Sequence, residues 1–98
     1  MMKRIDGKRI EIKKLLIENA DERLDMHLNV KVDDRSLKLT FYNLNSLRIN
    51  DISCPFTIEG FEILDNKSKG WERSSRYTVN DYENGDLKFH CESFDIQD

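Results

Sequence analysis

The chain has 98 residues, of which 38% are hydrophobic and 36% charged, with a formal net charge of −3. Soluble domains are usually about 45 to 50% apolar and about 25% charged, so a single domain over residues 1–98 with a small core and a wet surface is expected. The longest apolar run, Leu15-Leu16-Ile17, is far short of the roughly 20 residues of a spanning helix, and no apolar segment follows Met1-Met2-Lys3-Arg4 as a secretory signal requires. No membrane partner is expected, and the expected location is cytoplasmic.

Charge is unevenly placed: residues 1–14 carry net +4 and residues 81–98 net −5. Either the first and last strands neutralise one another or these are solvated faces. With pI ≈ 5.4 and only a short basic arm, the chain lacks the clustered cationic face of a nucleic-acid binder, and no nucleic-acid partner is expected. Cys54 and Cys91 read as reduced thiols, Cys91 sharing an apolar face with Leu87 and Phe89.

In chain order, the first segment is ambiguous. Ile10 and Ile12 alternate with charges, favouring a strand over about 9–18, while Ile12, Leu15, Leu16, Ala20 and Leu24 also fit a helical stripe. Asn19 to Glu22 reads as a hairpin connection. Residues 23–32 alternate clearly, with Leu24, Met26, Leu28, Val30 and Val32 on one face. Asp33 to Ser36 reads as a four-residue loop, and Leu37, Leu39 and Phe41 restart the alternation in an antiparallel hairpin.

A short strand over 46–50 carries Leu47 and Ile49, and Pro55 marks a boundary because proline removes a ladder donor. From Phe56 the apolar row is Phe56, Ile58, Phe61, Ile63, changing parity at Gly60 as a bulge would require. A polar turn over 65–70 leads into a strand from Trp71 to Val79, which Arg73 interrupts, and a turn with Asn84-Gly85 follows. The last strand changes parity at Ser93, a second expected bulge.

Residues 56–63 (FTIEGFEI) match residues 89–96 (FHCESFDI) in kind at every position but the second. Duplication and convergence on two bulged strands flanking a central one both account for this. Glu59 and Glu92 precede the two parity changes, so Glu59, Glu62, Glu92 and Asp95 are expected to line an acidic rim. Trp71, Arg73, Arg76 and Tyr77 offer a cation–π surface for a partner, or Trp71 and Tyr77 are core.

Catalytic signatures are absent: the chain has no GxSxG, P-loop, HExxH or CxxC, and its four glycines are scattered. Pairings of Cys91 with His27, or Cys54 with His90, conflict with strand geometry. Zinc would need ligands from separate segments without paired spacing. Loop carboxylates at Asp33-Asp34, Asp51 and Asp81 to Asp86 could meet around calcium, but they miss EF-hand spacing and suit turns for backbone reasons. No enzyme, metal site or cofactor is expected.

The segments Gly70-Trp71-Glu72, Tyr77 to Glu83 and Phe89 to Glu92 resemble small uncharacterised β-rich proteins of Gram-positive bacteria, some of them immunity proteins of polymorphic toxin systems. The resemblance spans about residues 47–96 and implies a β protein that binds a partner protein; it transfers no site residues. The expectation is an all-β antiparallel sandwich or strongly curled sheet of about seven strands, with an α+β form bearing one N-terminal helix as the alternative. The expected function is a non-enzymatic protein-binding module, an immunity-type inhibitor whose acidic last third attracts a basic toxin. The alternative is a β-sandwich that takes a small ligand or calcium. Open strand edges would also permit a homodimer.

Overall fold

The computed structural model describes residues 8–50, 56–66, 75–83 and 85–97. They form eight strands: β1 Lys8–Ala20, β2 Arg23–Val32, β3 Arg35–Tyr42, β4 Asn45–Ile49, β5 Phe56–Asp65, β6 Tyr77–Asp81, β7 Leu87–Cys91 and β8 Ser93–Gln97. All pair antiparallel in one sheet ordered β4-β7-β6-β5-β1-β2-β3-β8. The all-β expectation holds, with eight strands instead of seven because the expected last strand divides at Glu92 into β7 and β8.

The ambiguous first segment is strand. It ladders against β2 from Glu11↔Lys31 to Ala20↔Arg23 and against β5 from Lys8↔Phe61 to Ile12↔Phe56. Apolar residues outside its alternating rows, such as exposed Leu16, gave the false helical stripe.

Two expected loops are shorter than the polar residues suggested. Ala20 pairs with Arg23 and Val32 with Arg35, so each connection has only two residues, Asp21-Glu22 and Asp33-Asp34. All four have positive φ, between 49° and 67°. Mirror-image two-residue turns match the twist of the flanking strands, and Arg35 and Ser36 complete ladder bonds without apolar side chains.

The bulge expected at Gly60 is present: two steps along β1, Lys8 to Ile10, face three along β5, Phe61 to Ile58. Glycine is needed there for close approach, since a Cβ would lie 2.8 Å from the Tyr82 ring and 2.7 Å from Glu83 Cγ. A second bulge lies in β1 between Ile12 and Lys14, and a third in β4 between Asn45 and Arg48, where Ser46 has φ 55°.

No extra residue enters the ladder at Ser93, correcting the second expected bulge. Tyr42↔Ser93 and Asn45↔His90 keep one register across the break. Parity changes instead because two adjacent strands kink together, the first passing from β3 to β4 at Asn43-Leu44 and the second from β7 to β8 at Glu92. Because β3 pairs with β8 and β4 with β7, the sheet curls until its two ends meet along this seam.

The core fills the curl. Ile10, Met26, Leu39, Phe41, Phe61 and Phe89 are among the fully buried side chains. Phe41 of β3 meets Phe89 of β7 edge-on, with ring centroids 5.1 Å apart, although these strands stand near opposite ends of the order. Burial of each such ring contributes about 1.5 to 3 kcal/mol. The expected contact between first and last strands does not form: β1 lies between β5 and β2, and β8 pairs with β3. Arg9 of β1 pairs instead with Glu59, and Lys13 with Glu11, both at 3.3 Å. The strand expected from Trp71 is β6 from Tyr77, and its first four expected residues lie outside the described ones. So do Asp51, Cys54 and Pro55.

Candidate functional site

A kinked ladder leaves backbone groups without their regular partners, and the seam shows how side chains take them up. At the β3–β4 kink, Asn43 adopts φ 57°, which asparagine tolerates better than most residues. Its backbone N–H donates to Asp25 Oδ1 at 3.0 Å, and its side-chain amide donates to Glu92 Oε1 at 3.0 Å. Two backbone bonds close the joint: the Glu92 N–H donates to the Tyr42 carbonyl at 3.0 Å and the Leu44 N–H to the Leu24 carbonyl at 2.7 Å.

Around this joint the strands gather charge. Asp25 is buried, with Arg23 Nε 3.5 Å away. The Arg23 guanidinium also lies over the Tyr42 ring, 5.8 Å from its centroid. The Tyr42 hydroxyl donates to Asp95 Oδ2 at 3.0 Å; that bond, with burial and the charges of Asp95 and Asp25, holds its pKa above the usual tyrosine value. On the adjoining strands Glu18 Oε1 lies 3.1 Å from His27 Nε2. Four carboxylates, Glu18, Asp25, Glu92 and Asp95, thus gather with the Arg23 guanidinium and the His27 imidazole.

The four carboxylates expected to share one rim fall into two pairs. Glu92 and Asp95 flank the seam, both tied to consecutive residues of one strand end, Tyr42 and Asn43. Glu59 and Glu62 lie on β5, where Glu59 faces Arg9 and Glu62 accepts from Asn80 Nδ2 at 3.0 Å. In register, Glu62 belongs to the row Glu62–Asn80–Lys88–Arg48 and Asp95 to the row Asp95–Thr40–His27–Leu16. The kink separates them because FTIEGFEI is one unbroken strand, whereas FHCESFDI passes through the joint.

Arg76 makes two bonds to Asp65, at 2.8 and 3.3 Å, and its guanidinium stands 5.1 Å from the Tyr77 ring centroid. Tyr77 in turn packs edge-on against Phe94 at 4.9 Å, so it is half-buried and serves both readings made of it. Trp71 and Arg73 lie outside the described residues.

A second polar group lies between β6 and β7. Asn66 Nδ2 donates to Thr78 Oγ1 at 2.7 Å and to the Ser75 carbonyl at 3.0 Å, and Thr78 Oγ1 lies 2.9 Å from His90 Nδ1. Burial, with the charge of Lys88, lowers the His90 pKa and so favours the neutral ring. Cys91 is buried and its thiol is pushed up to about 12, which suits packing and not nucleophilic attack. Among the described residues, no three of His, Cys, Asp and Glu come together as a metal would need. Asp81 is buried, and its two oxygens accept the backbone N–H groups of Glu83 at 3.2 Å and Asp86 at 3.3 Å, stapling its own turn.

The geometry offers a carboxylate-rich, partly exposed seam over a packed core. A family model for immunity protein PIM8 matches residues 3–97. The chain belongs to that immunity protein family. No curated protein and no solved structure gives a significant match. Membership in the PIM8 family extends the resemblance seen over residues 47–96 to nearly the whole chain.

The residues missed by sequence reasoning are Asp25, Tyr42 and Asn43. A signal existed: the apolar row Leu37, Leu39, Phe41 resumes at Leu44, a parity change that mirrors the one at Ser93 on what proves to be the paired strand.

Proposed function

We propose that this protein is a non-enzymatic, cytoplasmic inhibitor that neutralises a toxin by binding it, with the acidic seam around Asp25, Tyr42, Glu92 and Asp95 as the docking surface. The observation that carries the reading is the immunity-family match over residues 3–97. The seam supports it chemically, because side chains already locked by mutual hydrogen bonds lose little freedom on docking. Net negative charge there favours a basic partner, mainly through a faster encounter and choice of partner.

The test has two steps. The tagged protein is used to capture partners from lysate of its source organism at low and high salt, and each captured protein is then expressed alone and together with this chain. A captured protein that arrests growth alone and is silenced by coexpression supports the proposal; capture of none that does so counts against it. With that toxin in hand, charge reversal in Glu92→Lys and Asp95→Lys should slow association at low salt by about tenfold or more and leave it nearly unchanged at high salt. Association rates equal to those of the parent chain would dispose of the seam as the docking surface.

A further inference from the structure

β1 has two different halves. From Lys8 to Ile12 it pairs with β5, and from Glu11 also with β2, while from Lys14 to Ala20 it pairs, among the described residues, with β2 alone. The bulge between Ile12 and Lys14 also switches its faces, so that Lys14, Leu16 and Glu18 lie outward while Leu15 and Ile17 line up with Leu28 and Met26 of the core face. Leu16 is 49% exposed and Ile17 37% exposed, although Ile17 lies on the core side. Such an edge, carrying apolar side chains on both faces, is a template for another strand.

We propose that a second copy of this chain occupies that edge, the two β1 strands pairing antiparallel about a two-fold axis through Leu16. Directly opposed residues of an antiparallel pair share a face, so the axis must pass through a residue and only a few registers exist. An axis through Leu15 sets Lys14 against Leu16 and Lys13 against Ile17. An axis through Ile17 sets Leu16 against Glu18 and Leu15 against Asn19. An axis through Leu16 sets Leu16 against Leu16, Leu15 against Ile17, and Lys14 against Glu18, twice over by symmetry. Leu15, Leu16 and Ile17 then each meet an apolar residue, Lys14 meets its opposite charge in Glu18, and Lys13 meets the neutral Asn19, so the apolar and charge pairings that stabilise neighbouring strands are made and none is repulsive.

Lys14 and Glu18 are both exposed and so free to make the contact. Glu18 approaches His27 through Oε1, and a carboxylate accepts through both oxygens, so the pairing does not require that contact to break. The same lysine that would guard the edge against unrelated strands becomes attractive only to a strand with an acid four residues on. The inference is independent of the inhibitor reading.

Sedimentation equilibrium on the full chain tests it, with circular dichroism confirming that each variant keeps its sheet. The parent chain should show a concentration-dependent dimer. Lys14→Glu alone and Glu18→Lys alone should each weaken it by about tenfold or more, since each makes both charge pairs repulsive. Mixing those two variants should restore a dimer, now mixed, and the double variant K14E/E18K should dimerise like the parent. A parent chain that stays monomeric up to about 1 mM overturns the proposal. So does a dimer indifferent to both reversals. A monomer whose capture of its toxin falls with both single variants assigns the edge to the toxin and overturns it equally.

Discussion

The β1–β2–β3 hairpins and the β3/β4–β7/β8 seam are both antiparallel ladders, yet they are specified differently. Along β2 and β3 seven consecutive pairs run from Met26↔Phe41 to Val32↔Arg35 without a register shift, and the apolar row alone sets which face is buried. At the seam the row changes parity on two strands at once, and Asn43 ties three segments together by bonding to both Asp25 and Glu92 beside the two backbone bonds of the joint. Local alternation builds the first region. Long-range polar contacts join the second, and they leave charged side chains at the surface.

The sharpest way to break the seam is from beneath. Phe41 touches Phe89 at 5.1 Å and Phe94 at 6.0 Å between centroids and is fully buried, so it ties both halves of the seam to one core. Phe41→Ala should cost about 3 to 5 kcal/mol, read as a lowered urea midpoint. Leu64→Ala, at a site 40% exposed, should stay within about 0.5 kcal/mol. Equal losses would mean that the seam has no privileged packing.

A smaller loss should follow from the polar joint itself. Asp25→Ala removes the acceptor for the Asn43 N–H while leaving that donor at a partly buried position, a cost of about 1 to 3 kcal/mol. On the regular ladder, Asn29→Ala replaces an exposed side chain and should change stability by less than about 0.5 kcal/mol. If the two variants unfold at the same urea concentration, the joint is held by its backbone bonds and packing alone.

The hairpin region should respond in the opposite direction. Glu22 sits at φ 62° in a two-residue turn, a conformation that costs a residue with a Cβ about 1 to 2 kcal/mol and glycine almost nothing. Glu22→Gly should therefore stabilise the chain by up to about 1 kcal/mol after the added freedom of the unfolded glycine is counted. A lowered thermal midpoint would show that the Glu22 side chain contributes more than its backbone strain costs.

These contrasts also explain what could be read before the structure. Strand β2 was legible to the residue because five apolar side chains alternate without a break, and the Gly60 bulge because parity changes beside a glycine. The two-residue turns were hidden, since Arg35 and Ser36 carry ladder bonds that leave no apolar trace. The acidic residues were visible as a composition, but their division into two pairs depends on a kink recorded in two segments about fifty residues apart. Asp25 looked like one more outward polar residue of β2; only the folded partner strand turns it into a buried acceptor.

The smallest expected effect concerns pH and again separates two regions, here two histidines. His90 shares the polar group with Thr78 and Asn66: Asn66 donates to the threonine oxygen, which lies 2.9 Å from His90 Nδ1. Burial lowers its pKa in the folded chain, whereas an unfolded histidine titrates near about 6.5. Above that pH both states are neutral and His90 adds no pH dependence. As pH falls below it the unfolded chain takes up the proton first, so stability must fall. His27, beside Glu18 on β2, and all the carboxylates are common to the parent chain and His90→Gln, which keeps a hydrogen-bonding group for Thr78 and cannot titrate. The loss in urea midpoint between pH 7.5 and pH 5.5 should be smaller in the variant, and an identical loss would mean that His90 takes up its proton in the folded chain as readily as in the unfolded one.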